Sequence, residues 1–120
     1  MTDTAAMSDI AALTAEIRAF AAERDWARFH DPKSLFIALM GEVGEAAELL
    51  QWLPAEDAAK SLAQPEAHGR WEAELADIAI YLFRLADVTG VELGPAIARK
   101  LSHNAQRYDV ETSLGNAVKH

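Results

Sequence analysis

Apolar side chains recur at intervals of three and four along most of this chain, the repeat of one helix face, and nowhere alternate as a strand requires. Between residues 8 and 29, Ile10, Leu13, Ile17 and Phe20 mark a first amphipathic helix, with Ser8 placed to cap its start. Asp31 followed by Pro32 signals a second start, an N-cap residue and then a proline at the first helical position, where its missing N–H costs nothing. That helix is expected to run from 35 to 53. Residues 54–69, PAEDAAKSLAQPEAHG, are punctuated by Pro and Gly with weak periodicity, and read as an insertable loop holding at most one short helical turn. A third long helix is expected from about 70 to 89, stopped by Gly90, and a fourth from Leu93 to about Arg107. The first seven residues and the segment 109–120 read as flexible tails on the surface. With no repeat and no low-complexity tract, the expectation is one all-α domain over 1–120, a bundle of four or five helices.

Two of these helices carry acids where the pattern is otherwise apolar. In the third, Leu75, Ala76, Ile78, Ala79, Ile80, Leu82, Phe83, Leu85 and Ala86 cover nearly every direction around the axis, which predicts a buried helix. Asp77 sits within that stretch and Glu74 lies three residues before it, on the same face. The second helix repeats the arrangement with Glu42 and Glu45, flanked by Leu39, Met40, Val43, Ala46 and Leu49. Packed antiparallel, the two helices would converge four carboxylates on one spot. Like charges so close either raise one another's pKa or share a hard divalent cation, and an all-oxygen donor set favours Mg²⁺, or Mn²⁺, over zinc. Either pair alone is also what a solvated helix face looks like. Glu48 extends the first pair by a turn, and its position suits an outer-shell role or solvated surface equally. The third helix has no E-x-x-H, so the nitrogen ligands of a carboxylate–histidine di-iron bundle are missing.

Composition narrows the partners. Lys+Arg 11 against Asp+Glu 19 gives a net charge of −8, a poor match for the phosphate backbone of a nucleic-acid polymer. Hydrophobic residues make up 51% of the 120, enough for the core of one domain. With no cysteine there is no thiolate metal site and no disulfide, which fits a cytoplasmic protein. The early acids Asp3, Asp9 and Glu16 do not suit a signal peptide, and the strongest apolar run, from Ile78 to Phe83, is far short of the ~20 residues that cross a bilayer.

The strings AAERDWARFHDPKSLFIALMGEVGEAAELLQWL, ELADIAIYL and KLSHNAQRY together resemble the MazG-like all-α nucleoside triphosphate pyrophosphohydrolases, most closely their small dCTP pyrophosphatase branch, over about residues 17 to 114. The resemblance rests on E-x-x-E at Glu42 and Glu45, E-x-x-D at Glu74 and Asp77, and K-x-x-x-N-x-x-R-Y ending at Tyr108. It implies hydrolysis of a nucleoside triphosphate to monophosphate and pyrophosphate, with Mg²⁺ held by Glu42, Glu45, Glu74 and Asp77. It also implies an intertwined homo-oligomer, a tetramer ahead of a dimer. The chemistry asks for activation of a water and neutralisation of phosphate charge, for which Glu45 or Glu42 is the candidate general base. Lys100, Asn104 and Arg107 fall on one stripe of the fourth helix and suit the phosphates, with Lys33 and Ser34 at the start of the second as weaker candidates. By the same resemblance Trp26, His30, Trp52 and Tyr81 are candidates to surround a pyrimidine base; Trp71 has no assignable role. Two departures bear on base preference and on the chain's exit: Ile17 stands where relatives of the vertebrate type carry histidine, and Asp109 where many carry proline.

Two rivals stay open. One is the same reaction on another nucleotide, such as dUTP, dTTP or a phosphoribosyl-ATP-like metabolite. The other is a non-catalytic acidic helical module that binds a partner protein.

Overall fold

A computed structural model describes residues 9–117, and among them the chain forms six α-helices and no strand. Helix α1 is Ile10–Glu23, α2 Pro32–Glu48, α3 Ala55–Leu62, α4 Pro65–Val88, α5 Leu93–Arg107 and α6 Val110–Ser113, with a 3₁₀ turn at Ala27–Phe29. Ser8 and the first seven residues lie outside the described region. The α1 cap is Asp9, whose carboxylate accepts the Ala11 N–H at 2.7 Å. Helix α1 stops at Glu23, short of the expected 29, because Asp25 takes a left-handed backbone (φ 54°) that ends the helix before the 3₁₀ turn.

Asp31 caps α2 as the sequence predicts: its carboxylate accepts the Ser34 N–H at 2.9 Å and the Ser34 hydroxyl at 2.7 Å, with Pro32 in the first turn. Gly90 closes α4 with φ 73°, while the Gly90 and Val91 N–H groups donate to the carbonyls of Asp87 and Ala86 at 3.1 and 2.8 Å. The clearest correction concerns residues 54–69. They hold helix α3 and the first turns of α4, and α2 ends at Glu48 rather than 53. The physical signals were present: Glu56 and Asp57 in the first turn of α3 and Lys60 in its last complement the helix dipole, and Pro65 opens α4. Residues 110–113 likewise form a short helix, capped by Asp109 through the Thr112 N–H at 2.9 Å, within what reads in the sequence as a tail.

Helix α4 is the hub, touching α2 along most of its length and also α1 and α3, while α5 rests on α1. His30 meets Arg84 whereas Glu42 and Glu45 neighbour Glu74, so α2 and α4 run antiparallel. A second correction follows from burial. Among the described residues only Ala21, Leu35, Ala46 and Ala86 are buried apolar side chains, and the supposedly all-buried α4 exposes Leu75, Ile80, Leu82 and also Asp77. The chain has 8987 Å² of accessible surface, where a monomeric protein of this mass exposes about 6,400 Å². Its radius of gyration is 17.5 Å, against about 13.6 Å for a compact chain of this length. The helical period was right; one copy of the chain does not supply enough neighbours to cover its faces.

Candidate active site

Of the four acids that the spacing would converge, three meet and Asp77 does not. Glu42, Glu45 and Glu74 each offer a carboxylate oxygen within 4.8 Å of the others. Three-residue spacing puts Glu42 and Glu45 on one side of α2, and the antiparallel crossing sets Glu74 against them. Glu42 and Glu74 are half-buried and Glu45 is exposed. One oxygen of Glu42 and one of Glu74 are shut off from solvent and meet no hydrogen-bond donor among the described residues. Burial raises the pKa of both, and the charges of Glu45 and Asp77 push the same way. Asp77, a turn beyond Glu74, is outside the close trio and exposed, so its charge reaches the cluster while its oxygens do not join it.

Orphaned, desolvated carboxylate oxygens beside like charges are what a hard cation relieves, and the donor set is all oxygen. The residues therefore fit a hard divalent cation.

At the other end of the same helix pair lies an aromatic cavity of about 110 Å³. It is lined by Trp26, His30, Leu35, Tyr81 and Arg84, with Ile17, Phe20, Ala21 and Ile80 from α1 and α4. The Trp26 ring meets Phe20 edge to face, centroids 5.8 Å apart. Three of the four side chains expected around a base thus share one cavity. The fourth, Trp52, does not line it and is 85% exposed beyond the end of α2. Ile17, the departure from relatives of the vertebrate type, is part of the lining. Larger openings along α1, about 360 and 380 Å³, contain none of the carboxylates of the trio.

The basic candidates are more dispersed. Lys100, Asn104 and Arg107 lie on α5, whose extensive packing is against α1 rather than α2. The Arg107 guanidinium lies over the Tyr108 ring, 5.3 Å from its centroid. Lys33 and Ser34 sit in the first turn of α2, near the aromatic cavity. At 1.5 Å per residue, Lys33 is about 13 Å along the axis from Glu42.

Sequence reading missed a network behind the cavity. Arg84, 7% exposed, donates its Nε–H to His30 Nδ1 at 3.0 Å and an Nη1–H to Asp87 Oδ2 at 3.1 Å. Asp87 also accepts two hydrogen bonds from Arg18 of α1, at 2.8 and 2.7 Å, a bidentate pair. The Arg18 contacts hold the Asp87 carboxyl below its usual range. Burial, with the neighbouring Arg84 charge, lowers the His30 pKa. Only the Arg84–Asp87 pair, three residues apart on α4, could be read from spacing.

Comparison with known proteins agrees with the geometry. Residues 37–119 match the MazG-like family. The chain is 46% identical over 114 residues to the dCTP pyrophosphatase 1 of Bos taurus, covering 95% of this chain and 66% of that protein. Against the human dCTP pyrophosphatase 1 it is 40% identical over 114 residues, covering 95% and 65%. It therefore spans just under two thirds of the length of the curated relatives it matches. A pyrophosphatase crystal structure from Archaeoglobus fulgidus superposes with TM-score 0.74 at 33% identity, covering 81% of this chain and 89% of that one.

Proposed function

Since this chain belongs to the MazG-like family, we propose that it hydrolyses a nucleoside triphosphate, dCTP or a modified dCTP, to the monophosphate and pyrophosphate. The observation that carries this reading is the pairing of two sites on one helix pair. Tyr81 of the aromatic cavity is seven residues from Glu74, and Leu35 seven from Glu42, so along the helix axes cavity and carboxylates are about 10 Å apart. A base seated in the cavity leaves its phosphates at the acids.

Glu42, Glu45 and Glu74, with Asp77 beside them, would hold a divalent cation, Mg²⁺ or alternatively Mn²⁺. When bound, the cation neutralises phosphate charge and acidifies water, the chemistry this hydrolysis needs. Glu45, the exposed member of the trio, is the general base: it takes the proton of the attacking water as that oxygen bonds to the α-phosphorus and pyrophosphate leaves. Glu42 and Glu74, half-buried, would be the ligands of that cation. Lys100, Asn104 and Arg107 grip phosphate oxygens; Lys33 lies on the base side of the cavity, away from them. Trp26, His30 and Tyr81 form the base cavity.

The working form is a homo-oligomer, a tetramer. The exposed Phe36, Ile37, Met40, Leu75 and Ile80, together with surface far above that of a compact monomer, support burial against further copies. Trp52 is free to cover a base in a neighbouring copy's cavity. Among the described residues no helix is long and apolar enough to cross a membrane.

A panel of triphosphates assayed for pyrophosphate release with Mg²⁺ tests the reading. dCTP or a modified dCTP should lead dUTP, dTTP, purine triphosphates and a phosphoribosyl-ATP-like metabolite. Equal rates for all bases reject the pyrimidine assignment, and no pyrophosphate from any member rejects the reaction. Light scattering checks the tetramer.

A further inference from the structure

The base cavity has a chemical polarity set from behind. An arginine Nε–H can only donate, so the His30 nitrogen it meets at 3.0 Å must accept, and Nδ1 carries no proton. A neutral imidazole then carries its hydrogen on Nε2. His30 lines the cavity, and with Nδ1 engaged the one nitrogen its ring has for a ligand is Nε2, as a donor.

Arg84 is itself held in place. It is buried, and Asp87 receives both its Nη1–H and the bidentate Arg18 from α1, so three elements fix the guanidinium: the turn before α2, α4 and α1. Resting on the base-cavity reading above, we propose that Arg84 is a positioning residue that locks His30 in its Nε2–H tautomer, so that the cavity selects bases presenting an acceptor, a carbonyl or an unprotonated ring nitrogen, at that point. Arg84 does this without touching the base. The lock discriminates because a buried donor facing a donor leaves two unsatisfied groups, whereas a donor facing an acceptor leaves none.

Two measurements test it. Long-range ¹H–¹⁵N NMR on the full-length protein at neutral pH, with the His30 signal identified by its loss in His30→Gln, should show Nδ1 unprotonated and Nε2 protonated; Arg84→Met should give a mixture of tautomers. A ring protonated at Nδ1 in the unaltered protein overturns the proposal, and needs no variant to fold. In kinetics with dCTP, Arg84→Met and His30→Ala should each raise KM about five- to tenfold, the scale of one hydrogen bond, with kcat changed less than KM. The double variant should be no worse than His30→Ala alone, since Arg84 acts through His30. Additive losses assign Arg84 a merely structural role and overturn the proposal. If Trp26→Ala leaves KM for dCTP unchanged, the base-cavity reading on which it rests has failed instead, and base selection by His30 fails with it.

Discussion

At one end of the α2–α4 pair a buried guanidinium meets His30 and Asp87, and a second arginine arrives from α1 to complete the set. At the other end, carboxylates crowd within 4.8 Å, and two of their oxygens are sealed from solvent with no hydrogen-bond partner among the described residues. The first end is electrostatically finished within a single chain. The second is finished only by something from outside. Burial of charge is tolerated when it is paired and costly when it is not, so the first region holds the cavity's shape with its own residues and the second reads as a place for a cation.

The comparison can be broken or sharpened by experiment. The largest effect is expected at the acidic end: Glu45→Gln should lower kcat for pyrophosphate release about 10³-fold while the protein stays folded, the scale of a lost general base. A variant retaining most of its turnover removes Glu45 from that role. At the paired end, Asp87→Ala should destabilise by about 3 kcal/mol in chemical denaturation, because it leaves the buried Arg84 guanidinium without its carboxylate. A change near zero would mean the network is decoration. Mg²⁺ at about 100 times its dissociation constant should stabilise the native protein by about 2.7 kcal/mol, seen as a rise in Tm, and Glu42→Gln should lose most of it. No response in the unaltered protein would put the carboxylates down as surface charge.

The smallest effect is in pH. In metal-free protein Glu42 and Glu74 have raised pKa values, so they bind protons more tightly when folded; their favourable contribution is present in acid and fades as pH climbs through those values. Asp87 works in the opposite sense. Its lowered pKa contributes stability above the ordinary carboxylate range that is lost as pH falls. Metal-free Glu42→Gln should therefore melt above the unaltered protein at neutral pH, with the gap closing near pH 4 and below. Titrating Tm of the two side by side checks the sign.

Much of the fold was legible because its signals are local. The Asp31–Pro32 start, the Gly90 stop and the α5 bounds depend on a few neighbouring residues, and they stand where the sequence put them. The convergence of Glu42, Glu45 and Glu74 was legible too, since three-residue spacing on two adjacent helices leaves few other arrangements. Helix α3 was not: Pro54 and Pro65, eleven residues apart, look like the ends of a loop, and only the placement of Glu56, Asp57 and Lys60 says otherwise.

By itself, then, the sequence determined an all-helical chain, the acids' helix faces and the aromatic residues beside them, because helix period and caps are properties of the local chain. Only the tertiary structure decided which acids meet and which stands aside, since Asp77 and Glu74 share a face but sit at different depths along the crossing. It alone joined His30, Arg84, Asp87 and Arg18, partners 54 and 69 residues apart, whose meeting depends on where α1 and α4 pack. It also showed that the apolar face of α4 outruns one chain's ability to cover it, because burial belongs to the assembly of helices and not to any helix alone.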